Sequence, residues 1–376
     1  MIKKEKKDVD CRALSSEFFN DFLPGEKYHV FIELVNKYHD ELEICFRGNN
    51  QPSEAVCIYY NNHLVYKIEA NGNITINFNH ARYSTNFREY WKLINYTYGF
   101  DESAVEKPRI KVIEKRSESG KISYYTGIGY LTSTYNESIK MNVENIYLNC
   151  IRKMLIDSFD ISCNTDIFRK TANTYTNYKS KLKQTGRKSL WIEKIRQQQL
   201  FSRMKFQKNG YFLYDLEFAQ KSLADSDEYL NALSNEPDML AIYFDDLGKP
   251  SRFAFVEIKS TDTAYSGTSG MVPHLQKMKD YPKSYLKARL KEAALILYQY
   301  KELGLYGIKQ DIIIEDYLKI ADKKPENLFV FTDKAVKKFH EDESCDEIKD
   351  FKKNAKQLQN IDIHIPGCKE LEIWVI

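Results

Sequence analysis

The first part of the chain is built from short, strongly apolar runs separated by polar turn residues. "HVFIELV" (29–35), "ELEICFRG" (41–48), "EAVCIYY" (54–60), "HLVYKIEA" (63–70) and "ITINFNH" (74–80) are rich in β-branched and aromatic residues. The turn formers "GNNQPS", "NN" and "NGN" separate them. This pattern predicts a strand-rich meander or sandwich to about residue 85. "NFREYWKLINYTYGF" (86–100) reads as more helical, and "VENIYLNCIRKMLIDSF" (143–159) carries apolar positions at helical spacing.

After a polar stretch at 171–190, "TANTYTNYKSKLKQTGRKSL", the pattern changes. A domain boundary is placed there, dividing a strand-rich accessory or recognition module, 1–175, from a second domain, 185–376. The second domain reads as a helix at "LWIEKIRQQQLFSRMK", then strands at "GYFLYDLEFA", "PDMLAIYFDD" and "RFAFVEIKST". "DDLGKPSR" supplies a hairpin turn between the last two. "SYLKARLKEAALILYQYKEL" is the longest amphipathic helix, with Leu286, Leu290, Ala293, Ala294 and Leu297 as its packing stripe. "NLFVFTD" and "ELEIWVI" add two more strands. The expected class is α+β or α/β, a mixed sheet flanked by helices beside the strand-rich module.

Composition narrows the function only a little. The 376 residues include 56 Lys or Arg and 53 Asp or Glu, a net charge of +3, so overall charge makes no case for a polyanionic partner. The seven cysteines are scattered and form no CxxC, which favours reduced thiols in the cytoplasm over a disulfide framework or zinc site. No apolar segment follows the charged start "MIKKEKKDVD", and no run of about 18 apolar residues occurs, so neither a secretory signal nor a membrane span is expected.

Candidate chemistry lies in carboxylates. On a strand, Glu257 and Lys259 share one face, and burying either charge alone is costly. Asp238 opens the preceding strand, and in a hairpin the start of one strand lies opposite the end of the next. Two converging carboxylates repel each other, and a hard divalent cation such as Mg²⁺ relieves that repulsion. A lysine beside the cation would orient or deprotonate an attacking water.

Pro237-Asp238 followed by Glu257-Ile258-Lys259 at the end of an apolar strand resembles the PD-(D/E)XK nuclease superfamily, the restriction-endonuclease-like proteins. The resemblance covers the C-terminal half and leaves residues 1–170 unexplained. It implies a helix, a hairpin-rich mixed sheet and a further helix. It also implies metal ligation by Asp238, Glu257 and the Ile258 carbonyl, with Lys259 as the catalytic lysine. Glu193 matches the acid that such nucleases carry on the first helix, and Glu217 the acid that some carry on the first strand. Gln276 and Tyr281, with His274 adjacent, match polar positions on the helix after the lysine. The implied cofactor is Mg²⁺, with Mn²⁺ as a substitute.

Simpler roles exist for each residue. Glu257 and Lys259 would suit an ordinary cross-strand ion pair on an exposed edge, and Asp238 a turn after Pro237. Asp215 shares a strand face with Glu217, and Glu193 is placed for a surface pair with Arg196.

Residues 179–208 hold ten Lys or Arg against the single acid Glu193. Arg196 and Arg203 are the candidates for tracking phosphates, with Trp191, Phe201 and Phe206 available to pack or stack. The expectation is a metal-dependent endonuclease of bacterial restriction or anti-phage type, acting on DNA ahead of RNA. A homodimer would present two sites to a duplex. An RNase, a nuclease switched on by a ligand of the N-terminal module, and a non-catalytic nucleic-acid-binding module are the alternatives.

Overall fold

The computed structural model describes residues 12–48, 54–60, 63–77, 111–116, 122–127, 130–153, 196–216, 237–260, 271, 275, 283–332, 334–341, 346–358, 368 and 370–376. Helix α1, Ser16–Asn20, starts where the Ser15 side chain accepts a hydrogen bond from the Phe18 N–H. The next segment corrects the sequence reading: "HVFIELV" belongs to helix α2, His29–Lys37, not to a strand. Phe31, Ile32, Leu34 and Val35 are all buried there, so packing overrides the preference of aromatic and β-branched residues for strands.

Strands β1 (Leu42–Arg47), β2 (Ala55–Tyr60), β3 (His63–Glu69) and β4 (Asn73–Asn77) form an antiparallel meander, as the apolar runs and the turn residues between them predict. Gly72, at φ +91°, supplies the left-handed residue of the β3–β4 turn. A hairpin of β5 (Lys111–Arg116) and β6 (Ile122–Gly127) stands apart from this sheet. Strand β7, Tyr130–Thr134, joins it beside β4. Asn136 then caps helix α3, Glu137–Ile146, whose last turn widens into a π-helical turn at Tyr147–Ile151.

The second sheet has six strands in the order β12-β13-β11-β10-β9-β8. They are β8 (Gly210–Leu216), β9 (Met239–Phe244), β10 (Pro250–Lys259), β11 (Glu326–Thr332), β12 (Lys356–Gln357) and β13 (Leu371–Val375). Strands β10 and β11 run parallel, and the other described pairs of this sheet are antiparallel. The sheet is therefore mixed and the class α+β.

Helix α4, Lys283–Glu302, buries Leu286, Leu290, Ala293, Ala294 and Leu297 in the same core as Phe212, Leu240, Phe253 and Phe255. A helical segment at 196–203 brings Leu200 and Phe201 to the opposite face, against Met239, Ala254 and Val256. Helix α5 spans Ile314–Leu318. Helices α6 (Lys334–Glu341) and α7 (Asp346–Asn354) pack around Phe329 and Phe331 of β11.

The expected boundary at 175–185 lies outside the described residues. On either side of it, Ile44 and Phe46 of β1 share one apolar core with Phe212, Leu240 and Leu297. Polar contacts cross the same seam. Lys205 Nζ lies 3.0 Å from Glu43 Oε2, and the Tyr306 hydroxyl donates to the Ile44 carbonyl at 3.1 Å. Among the described residues, no helix is long and apolar enough to cross a membrane.

Candidate metal-binding and catalytic site

The site begins with a hairpin. Strand β9 turns into β10 through Asp245–Lys249, where Asp245 Oδ1 accepts from the Leu247 and Lys249 N–H groups and Gly248 adopts φ +78°. From there the register runs Phe253 opposite Ile242, Phe255 opposite Leu240 and Val256 opposite Met239. Strand β9 begins at Met239, whereas β10 continues to Lys259. Asp238 thus sits at the point where β10 outruns its neighbour.

Asp238, half-buried, takes over the pairing that β9 no longer supplies. Its Oδ2 accepts from the Ile258 N–H at 2.8 Å. In an extended strand the N–H and C=O of one residue point to the same edge, so the Ile258 carbonyl is directed to the Asp238 side. Asp238 Oδ1 accepts from Gln197 Nε2 at 2.6 Å. Both of these donors are neutral groups, and between them they fix the orientation of the carboxylate.

Glu257 and Lys259 emerge from β10 on the face of Phe253 and Phe255, next to Phe329 and Phe331 of β11. Both are buried, at 3% and 5% exposure, and Lys259 Nζ lies 2.6 Å from Glu257 Oε1. The pair is therefore not an exposed edge pair. An ammonium holds a buried carboxylate at the end of a central strand.

Among the described residues, no three His, Cys, Asp or Glu side chains converge on a metal-binding group. The hard donors at this end of the hairpin are the Asp238 and Glu257 carboxylates and the Ile258 carbonyl, Asp238 being bonded to the residue next to Glu257. Mg²⁺ keeps several waters and binds through one or two carboxylates, so this donor set fits it.

A second acid on the sheet has different surroundings. Asp215, opposite Leu240 on β9, is 2% exposed. Its Oδ1 receives Arg12 Nη1 at 3.5 Å and Arg47 Nη1 at 3.3 Å. Burial raises its pKa to about 6, against the opposing pull of Arg47 and Arg289. Arg47 also donates to the Leu216 carbonyl and the Tyr59 hydroxyl, while Arg289 Nη1 binds Glu292 at 2.8 Å. Guanidinium groups hold Asp215, so it ties β1 to β8 and is not offered to a cation.

The remaining candidates divide as follows. Glu193, Glu217, His274, Gln276, Tyr281 and Trp191 lie outside the described residues. Arg196 is buried and donates to Gln199 Oε1 at 2.7 Å, whereas Arg203 is exposed. Phe201 is in the core and Phe206 packs edge-on against Phe244 at 4.8 Å, so these aromatics pack and do not present faces to bases. Lys205, also in the basic stretch, is committed to Glu43, and burial lowers its pKa.

Sequence reading missed Gln197, Arg12, Arg47 and Glu292. Only Gln197 had a local signal, an inward position on the helix that precedes the sheet. Comparison with protein-family models, with curated proteins and with solved structures finds no match to this chain.

Proposed function

We propose that this chain is a metal-dependent nuclease of the PD-(D/E)XK type, hydrolysing phosphodiester bonds in nucleic acid. One observation carries the reading. Where β10 outruns β9, a carboxylate oriented by neutral donors, Asp238, adjoins a buried Glu257–Lys259 pair, and the Ile258 carbonyl points to the same edge. A structural ion pair needs no second carboxylate at the end of the neighbouring strand, and Asp238 stands there with its Oδ2 on the backbone of the residue between Glu257 and Lys259.

Asp238, Glu257 and the Ile258 carbonyl would hold Mg²⁺ or Mn²⁺. Such an ion, when bound, acidifies a coordinated water and offsets the charge that builds on the phosphate. Lys259 does the rest of the work assigned to side chains. Its ammonium lies beside Glu257 without the ion, and in its presence would be released to orient the attacking water or stabilise the transition state. The apolar neighbours Phe253, Phe255, Phe329 and Phe331 lower the local dielectric and strengthen these interactions.

Cleavage of supercoiled plasmid DNA and of a labelled single-stranded RNA tests the reading, each in Mg²⁺ and in chelator. Wild type should cut in Mg²⁺ alone, and Asp238→Ala and Lys259→Ala should lose at least about a hundredfold in rate. The substrate that is cut decides between DNA and RNA. Equal cutting by wild type and both variants would refute the assignment of the site.

A further inference from the structure

Gln197 is placed where an apolar residue is expected. Residues 197, 200, 201 and 204 follow the i, i+3, i+4, i+7 spacing of one helix face. Leu200, Phe201 and Met204 fill the core under the sheet, and Gln197 continues their stripe at 5% exposure. A buried amide must find hydrogen-bond partners, so a Gln here costs stability unless its partner is specific. That partner is Asp238: Gln197 Nε2 donates to Oδ1 at 2.6 Å. The amide orientation is fixed by chemistry, because only Nε2 can donate to a carboxylate.

We infer that Gln197 is a positioning residue for Asp238, setting the carboxylate for a divalent cation; the inference rests on the nuclease reading of this site. Its chemistry is what that task needs. A Lys or Arg at 197 would cancel the carboxylate charge and compete with the cation. A shorter amide would lose the reach from the helix, and an apolar residue would remove the donor that holds Oδ1. Gln197 and the Ile258 N–H together hold both oxygens of the carboxylate, and each carboxylate oxygen carries two lone pairs.

The next residue serves a different purpose. Gln198 Nε2 donates to the Tyr59 carbonyl of β2 at 3.3 Å, joining the helix to the N-terminal sheet and not to the site. Adjacent, buried and chemically identical, it is an internal control.

The test is Mn²⁺ binding by the full-length protein, followed by the electron paramagnetic resonance signal of unbound Mn²⁺. Wild type, Gln197→Met, Gln198→Met and Asp238→Asn are compared, with circular dichroism confirming that each is folded. Gln197→Met keeps the side-chain length and removes the donor. Its Mn²⁺ affinity should fall about tenfold, the low end of what removing a second partner of a metal ligand costs. Asp238→Asn should lose binding, and Gln198→Met should bind as wild type.

A purely structural Gln197 would lower thermal stability and leave Mn²⁺ affinity at the wild-type value. That result, with binding lost in Asp238→Asn, would overturn the positioning role while leaving the site reading intact. A fall in Gln198→Met as large as in Gln197→Met would overturn it too. Absence of Mn²⁺ binding by wild type, or retention by Asp238→Asn, would overturn the site reading and the inference with it.

Discussion

Replacing Lys259 by Met separates a metal site from a structural ion pair without needing a substrate. Met keeps the apolar stem and removes the ammonium that lies 2.6 Å from Glu257 Oε1. Glu257 is 3% exposed, so its charge stays in a poorly solvated place. Removing one partner of a buried ion pair costs about 3–5 kcal/mol. The lower end, about 3 kcal/mol, applies here because half-buried Asp238 gives water an approach to this end of the sheet. If Glu257 is a metal ligand, Mg²⁺ should replace the missing ammonium. At a hundred times its dissociation constant, a ligand specific for the folded state stabilises it by about 2.7 kcal/mol. Wild type should gain less, because there the cation must displace Lys259 before it meets Glu257. Urea unfolding followed by tyrosine and tryptophan fluorescence, in chelator and in Mg²⁺, measures both numbers. The expected result is a gap of about 3 kcal/mol between wild type and variant in chelator, reduced by more than half in Mg²⁺. A gap that Mg²⁺ leaves unchanged would refute Glu257 as a ligand. No gap in chelator would refute the buried pair itself.

Two further outcomes follow from the buried charges outside the site. Asp215 is held at about 6 in the fold against 3.8 unfolded, so between those values the folded chain binds more protons. Its contribution is complete below about pH 4 and is lost as pH rises through about 6; the Asp215→Asn variant should lack that slope in stability measured from pH 4 to 7, and an identical slope in both proteins would show the acid to be indifferent. For Glu43 and Lys205, 3.0 Å apart across the seam between β1 and the C-terminal sheet, the double variant Glu43→Leu/Lys205→Met should be less destabilised than the two single variants summed, by about 2 kcal/mol or more in urea unfolding; simple additivity would refute the pairing.

These contacts mark where information in the chain stops being local. Apolar runs rich in β-branched and aromatic residues, helical spacing and turn residues are properties of short segments, and they located β1 to β4, the β9–β10 hairpin, β11, β13 and the packing stripe of α4 from residue order alone. They also placed Glu257 and Lys259 on one face of an apolar strand and Asp238 at the head of its neighbour, because side-chain direction on a strand has a period of two. The same rules failed at "HVFIELV", where apolar residues at 31, 32, 34 and 35 satisfy a buried helix as well as a strand, and burial against the rest of the fold made the choice.

Other features depended on residues far apart in the chain. Parallel pairing of β10 with β11 joins Glu257 to Phe329, and no pattern within either strand specifies it. Asp215 and Asp238 look alike in sequence, each an acid at a strand end. Tertiary structure set them apart: Arg12 and Arg47 converge on Asp215, while an amide and a backbone N–H meet Asp238. Residue order determined which segments fold and which faces they bury. Only the assembled structure decided which donors reach each acid, guanidinium groups at Asp215 and an amide and a backbone N–H at Asp238, because those donors come from distant strands and helices into a medium of low dielectric.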